Sequence, residues 1–199
     1  MRLSVIFATL VLSSLGYSQV LILNPTTPDS FQVGYATYLK NGDSTLILSN
    51  SGASDPGGPG MGNLCVNTYV FDTREEMNEC CACTVTPDGF RSMSAKNDLT
   101  SNPITGIAPT NIIIKLVATV ETAVPCDAAS VNPPAAGMTA WGTTLAPAPP
   151  AGKTYSVVPV IYKDKELSQA EYASLTTTCS FIFQLGSGSG ICKCGVSGD

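Results

Sequence analysis

Three of the eight cysteines in this 199-residue chain fall within Cys80-Cys81-Ala82-Cys83, and whatever holds those sulfurs sets the topology. The other five, Cys65, Cys126, Cys179, Cys192 and Cys194, are spread along the chain, the last two as a Cys-x-Cys. Disulfides or a metal could gather such a cluster. Cys80 and Cys83 with Cys192 and Cys194 would make an all-thiolate zinc or iron–sulfur site. Cys-x-Cys is nevertheless a poor zinc spacing, because about two to four residues usually separate paired ligands.

The compartment decides between them. Residues 1–18 read as a secretory signal peptide: Arg2 is the positive start, positions 3–12 are almost unbroken apolar, and Gly16 and Ser18 are the small residues for cleavage before Gln19. The apolar run is too short to anchor in a membrane, and no stretch of about 20 apolar residues follows. An exported chain with an even cysteine count reads as a disulfide framework without a metal or other cofactor. About a hundred pairings are possible. Cysteines that are adjacent or one residue apart rarely bridge each other, because the geometry is strained. Cys80, Cys81 and Cys83 are therefore expected to pair with some of Cys179, Cys192 and Cys194, stapling the C-terminal segment to the middle of the chain.

Removing residues 1–18 takes Arg2 away and moves the formal charge from −5 to −6. With only 13% charged and 44% hydrophobic residues, the chain is too apolar for disorder, and its acidic balance argues against nucleic acid. Residues 19–199, roughly 180 in number, suffice for one domain with a sizeable core.

Strand signals dominate. A short apolar run at 20–23 is followed by alternation over 31–40, with Phe31, Val33, Tyr35, Thr37 and Leu39 on one face. Asn41-Gly42 then predicts a hairpin into a strand at 44–49 carrying Leu46 and Leu48. Residues 50–63 form a Gly/Pro-rich loop whose single acidic residue, Asp55, is too few for calcium. Residues 64–71 are apolar on both faces and read as a central strand. Asp72, with an acidic residue three positions on, predicts a short helix before the cysteine cluster. Glu75, Glu76 and Glu79 then read as its solvated face rather than as catalytic carboxylates. Further strands are expected at 84–86, 90–94, 111–120 and 154–161, the last marked by Pro159 as an edge or as the site of a bulge. Pro87-Asp88-Gly89 is a turn, 95–109 a long loop, and 128–152 an Ala/Pro-rich segment, either an ordered strap across the sheet or a mobile arm; Trp141, the only tryptophan, is read as anchoring a strap to the core in preference to an exposed recognition aromatic. One helix is expected from Gln169 to about Leu185. Ser168 caps it, Glu171 completes a capping box, and Tyr172, Leu175, Cys179 and Ile182 form its buried stripe.

Catalytic motifs are missing. The chain has no histidine, which removes Ser-His-Asp and Cys-His systems and His-bound metals. Gly186-Ser187-Gly188-Ser189-Gly190 is neither a nucleophile elbow nor a phosphate loop. Cys80-x-x-Cys83 does not sit at the start of a helix after a strand, as a thiol oxidoreductase requires.

Three segments resemble a group of exported proteins of soil bacteria of the acidobacterial type. They are positions 64–72 with Cys80-Cys81-Ala82-Cys83, positions 97–103, and the Gly/Ser run 186–191 with Cys192. The resemblance implies export and a shared cysteine scaffold, and implies no activity. The expectation is therefore a single antiparallel β-sandwich-like domain with one C-terminal α-helix, stapled by disulfides. Functionally it reads as a secreted, non-enzymatic structural or interaction protein, such as a subunit of a filament, surface layer or matrix. Its partners would be further copies, another extracellular protein or a glycan. Alternatives are an extracellular carbohydrate- or ligand-binding module and a cysteine-based redox or metal protein.

Overall fold

The computed structural model describes residues 27–54, 62–101, 106–122, 125–150, 154–186 and 188–198. The expected signal peptide, the strand at 20–23 and the middle of the Gly/Pro loop lie outside the described residues. Ten strands and one helix are described: β1 Phe31–Ala36, β2 Thr45–Asn50, β3 Leu64–Phe71, β4 Met77–Val85, β5 Phe90–Ser94, β6 Ile112–Val120, β7 Met138–Ala148, β8 Thr154–Ile161, β9 Lys163–Asp164, α1 Gln169–Leu185 and β10 Val196–Gly198. They form two antiparallel five-stranded sheets. Sheet I has the order β4-β3-β6-β1-β9 and sheet II the order β10-β5-β2-β7-β8. The mainly β, sandwich-like fold with one C-terminal helix is as expected.

The core is double. Between the sheets, Leu64, Val66, Ile114 and Leu116 of sheet I meet Leu46, Leu48, Met93 and Met138 of sheet II. On the outer side of sheet I, Phe31, Tyr69, Cys80 and Val117 meet Tyr172, Leu175, Cys179 and Ile182 of α1. β3 is paired along both edges and buried on both faces, which explains its apolar character. The helix is as expected: Ser168 Oγ accepts from the Glu171 N–H at 3.1 Å, and the four stripe residues are all buried. The capping box is not closed, however, because the Glu171 carboxylate pairs with Lys115 of β6 instead.

Several local expectations are overturned. β1 and β2 are not a hairpin: β1 pairs with β6 and β9, whereas β2 pairs with β5 and β7. The chain turns at Tyr38, whose φ is 56° and whose carbonyl accepts from Asn41 N–H, and Leu39 is buried at the crossover. Gly42 does not adopt the positive φ that a tight two-residue hairpin turn needs. Ala36 thus joins Leu46 and Leu48 in the core between the sheets rather than lying beside them, and Gly34 lies against the Tyr162 ring. Phe31 and Val33 point to the helix side, and Tyr35 is exposed.

The predicted short helix after Asp72 is a turn. Asp72 Oδ1 accepts from Arg74 N–H and Glu76 N–H, and Glu75 takes φ 67°. The capping chemistry is real, but it closes the β3–β4 hairpin, because eight residues of β4 gain a strand partner in β3. Strand 84–86 is accordingly only the end of β4, and the cysteine cluster lies in mid-strand. The strap expected over 128–152 is instead irregular only to about 137. Residues 138–148 are β7, the longest strand.

Candidate interaction face

The period of two along β4 explains its crowded cysteines. Cys80 points outward and bridges Cys179 of α1; Cys81 and Cys83 point to the opposite side and bridge Cys192 and Cys194. Both of the latter pairs span 111 residues. Two Cys-x-Cys runs therefore lie parallel, rung beside rung, with Cys81 and Cys83 Sγ atoms 4.0 Å apart. The backbone follows: Cys80 N–H donates to Gly190 O and Cys192 N–H donates to Cys80 O. The segment then continues as β10, so residues 190–198 close the β4 edge of sheet I and extend sheet II beside β5. Cys65 and Cys126 form the fourth bridge. The expected stapling is present, and all three cluster cysteines use the C-terminal partners. Two equal Cys-x-Cys spacings were the sequence signal for the ladder.

Two groups bring potential ligand atoms within 4.8 Å: Cys81, Cys83 and Cys194; and Cys65, Glu121 and Cys126. Every sulfur in them is engaged in a disulfide, so none offers the thiolate that zinc or iron requires in this oxidised form. Glu75, Glu76 and Glu79 do not form a solvated helix face. Glu75 and Glu76 are exposed in the hairpin turn, whereas Glu79 is fully buried on the side of β4 shared with Cys81 and Cys83. Two surface depressions, one lined by Asp72, Arg74, Ile107 and Thr110 and one beside Cys126, lack the aromatic lining of a small-molecule site.

The feature that sequence reasoning missed is the outer face of sheet II. Its five strands contain a single charged residue, Arg91. Arg91 stands opposite the inward-facing Leu48 and donates from Nε to Thr84 O, so it is not on the outer face. Directly opposed residues share a face. Val196 opposes Ser92, Ser92 opposes Ile47, Ile47 opposes Trp141, and Trp141 opposes Ile161. One row thus crosses all five strands. Within it Ile161 is 78% exposed, Val196 69% and Trp141 39%. Trp141 was expected to anchor a strap in the core. Met138 and Ala140 of the same strand face inward, and alternation places Trp141 outside. Thr139 and Thr143 flank it on the same face.

In the middle of β7 the inward residues are small, and at Gly142 the neighbouring backbone requires it: a Cβ there would overlap the carbonyl oxygen of Thr45. That close approach left β7 without the large apolar alternation that marks a strand in sequence.

The rim of sheet II at β8 is blunted. Tyr162 N–H donates to Ala140 O, so even-numbered positions of this run bond inward to β7 and odd-numbered ones face the free edge. Pro159 therefore removes a donor from the free edge and costs the ladder nothing. Among the described residues no helix is long and apolar enough to cross a membrane. Comparison with known proteins gives no match to any family model, curated protein or solved structure.

Proposed function

We propose that this is a secreted, non-enzymatic structural or interaction protein of the cell exterior, which works by holding the outer face of sheet II against another macromolecule. The observation that carries the reading is the row Val196-Ser92-Ile47-Trp141-Ile161 on a sheet whose only charged strand residue points elsewhere. Interface centres are depleted of charge and enriched in aromatic side chains, and contiguous exposed apolar surface on an otherwise polar protein marks contact sites. Four disulfides suit an oxidising compartment and supply rigidity, as the leader-like residues 1–18 require of an exported chain.

The test is a photo-reactive residue placed at Ile161 in the exported protein, with a control at Phe181, which is 57% exposed on α1. Adducts at 161 and not at 181 are expected. Absence of adducts at 161 under native conditions sinks the reading. A second reading, glycan binding, draws on Trp141 between the hydroxyls of Thr139 and Thr143, a stacking platform with flanking hydrogen-bond groups. It predicts saturable quenching of Trp141 emission by one soluble glycan class.

A further inference from the structure

We infer that the occupant of the sheet II face is a second copy of this chain, docked face to face about a two-fold axis. The inference rests on the interaction reading above and names its partner. Three observations carry it.

The first is charge. Each copy is net negative, with a formal charge of −5 for the full chain and −6 without residues 1–18, so its charged surface repels another copy. The sheet II outer face is the exception, because its strands present Ser, Thr, Val, Ile, Pro and aromatic side chains without a charge. Charged residues such as Asp43 and Lys96 lie beyond the strand ends and form a rim. An uncharged centre inside a charged rim is complementary to itself, the condition for an isologous interface.

The second is size. Five strands of three to eleven residues, at about 4.8 Å spacing and about 3.4 Å rise per residue, give a face on the order of 540 Å² in projection, and more with side-chain relief. A stable interface takes about 800 Å² from each partner. Two such sheets pack at about 10 Å with interleaved side chains, as the two sheets within one copy already do.

The third is the exclusion of the obvious competitor. Pairing through the β8 edge would extend sheet II without using the face. Pro159 removes a donor from the middle of that edge, and the opposite edge of the sheet is the three-residue β10. The exposed apolar surface left on sheet II is the row through Trp141 together with Phe90 of β5 and Val157 of β8.

The location of Trp141 makes the inference directly readable, since it is the only tryptophan. Sedimentation equilibrium of the oxidised protein from micromolar to near-millimolar concentration, with Trp141 emission recorded on the same samples, is the experiment. A dimer whose formation shifts the emission to the blue is expected, strengthening with added salt as the net charges are screened. Trp141→Lys and Ile161→Lys are expected to raise the dimer dissociation constant about 30-fold or more, the effect of losing a central anchor. Phe181→Lys, on the opposite side of the molecule, is expected to leave it unchanged. Unaltered circular dichroism and four retained disulfides show that the variants are folded. A monomer across the whole range overturns the second-copy assignment. So does a dimer indifferent to Trp141→Lys and Ile161→Lys. The photo-adducts at 161 then separate the two levels: adducts to another molecule leave the interaction reading standing, and no adducts remove both.

Discussion

The two sheets present opposite solutions to the same problem. Sheet I is apolar on both faces, and its outer face, apart from the exposed pair Tyr35 and Ile113, is covered by α1, which buries Tyr172, Leu175, Cys179 and Ile182 and is bonded to β4 through Cys80. Sheet II is apolar inside and, among the described residues, carries no covering element outside, yet its outer face keeps Trp141, Ile161 and Val196. The lesson lies in the side chains. The outer face of sheet I bears large residues whose polar tips are satisfied from within: Tyr69 Oη donates to Ala128 O at 2.8 Å, and Tyr172 Oη donates to Asn132 O while accepting from Asn132 N–H. The outer face of sheet II bears Ser and Thr hydroxyls between its apolar side chains, a surface that tolerates water and contact equally. The first is built to stay shut, the second to be met.

Alkali tests the shut side most severely. Burial raises the Tyr69 phenol far above its usual range, with Tyr172 and Asp127 adding to the effect; burial also raises Tyr162 and Tyr172, the last opposed by its bond to Asn132. Raised folded values mean that the native state holds these protons more tightly. Stability is thus complete below the unfolded tyrosine value of about 10 and drains as pH climbs from there toward the folded values. Unfolding above about pH 10, with tyrosine ionisation at 295 nm coinciding with the loss of helical circular dichroism, is expected. Smooth ionisation of all seven tyrosines at constant ellipticity would contradict the burial argument.

Replacing Cys80 and Cys179 together by alanine comes next. Their bridge closes 99 residues of chain, for which loop-closure entropy gives about 4.7 kcal/mol. A loss of unfolding free energy approaching that size in urea titration is expected, with α1 exchanging amide hydrogens faster than sheet II. Leu175→Ala, beneath the same helix, is expected to cost about 3 kcal/mol by the same measurement. On the open sheet the expectation reverses: Trp141→Thr should change monomer stability by less than about 0.5 kcal/mol. A cost near that of Leu175→Ala would mean that Trp141 packs against its own chain, and the contrast between the faces would dissolve. Glu171→Gln ranks last. The Lys115–Glu171 pair is about a third exposed at the carboxylate, and its loss is expected to cost about 0.5 kcal/mol or less, shrinking further in high salt.

The parts legible in sequence were those in which the local pattern and the tertiary environment demand the same residues. β3, β5, the helix with its Ser168 cap, and the reach of Cys80, Cys81 and Cys83 toward the C-terminal cysteines all belong here. Asn41-Gly42 misled because turn chemistry says that a chain reverses, not whether the returning strand lies beside the first or across a sandwich from it. Asp72 misled because a carboxylate accepting from backbone N–H groups looks the same in a hairpin turn as at a helix start. β7 was hidden by small inward residues, Ala140 and Gly142, the second of which answers to the neighbouring backbone of Thr45. With β7 hidden, Trp141 had no face, and the candidate site could not be seen.

The disulfide ladder has a consequence for the order of events during synthesis. Cys80 must wait for a residue 99 positions later, and Cys81 and Cys83 for residues 111 positions later, whereas Cys65 meets Cys126 after 61. At ordinary elongation rates the three thiols of β4 emerge on the order of ten seconds before their proper partners exist. Throughout that interval the only earlier sulfur available to them is Cys65. Production in a host compartment that oxidises thiols without reshuffling them should therefore yield chains trapped by Cys65 in wrong pairs, and co-expression of an isomerase should recover them.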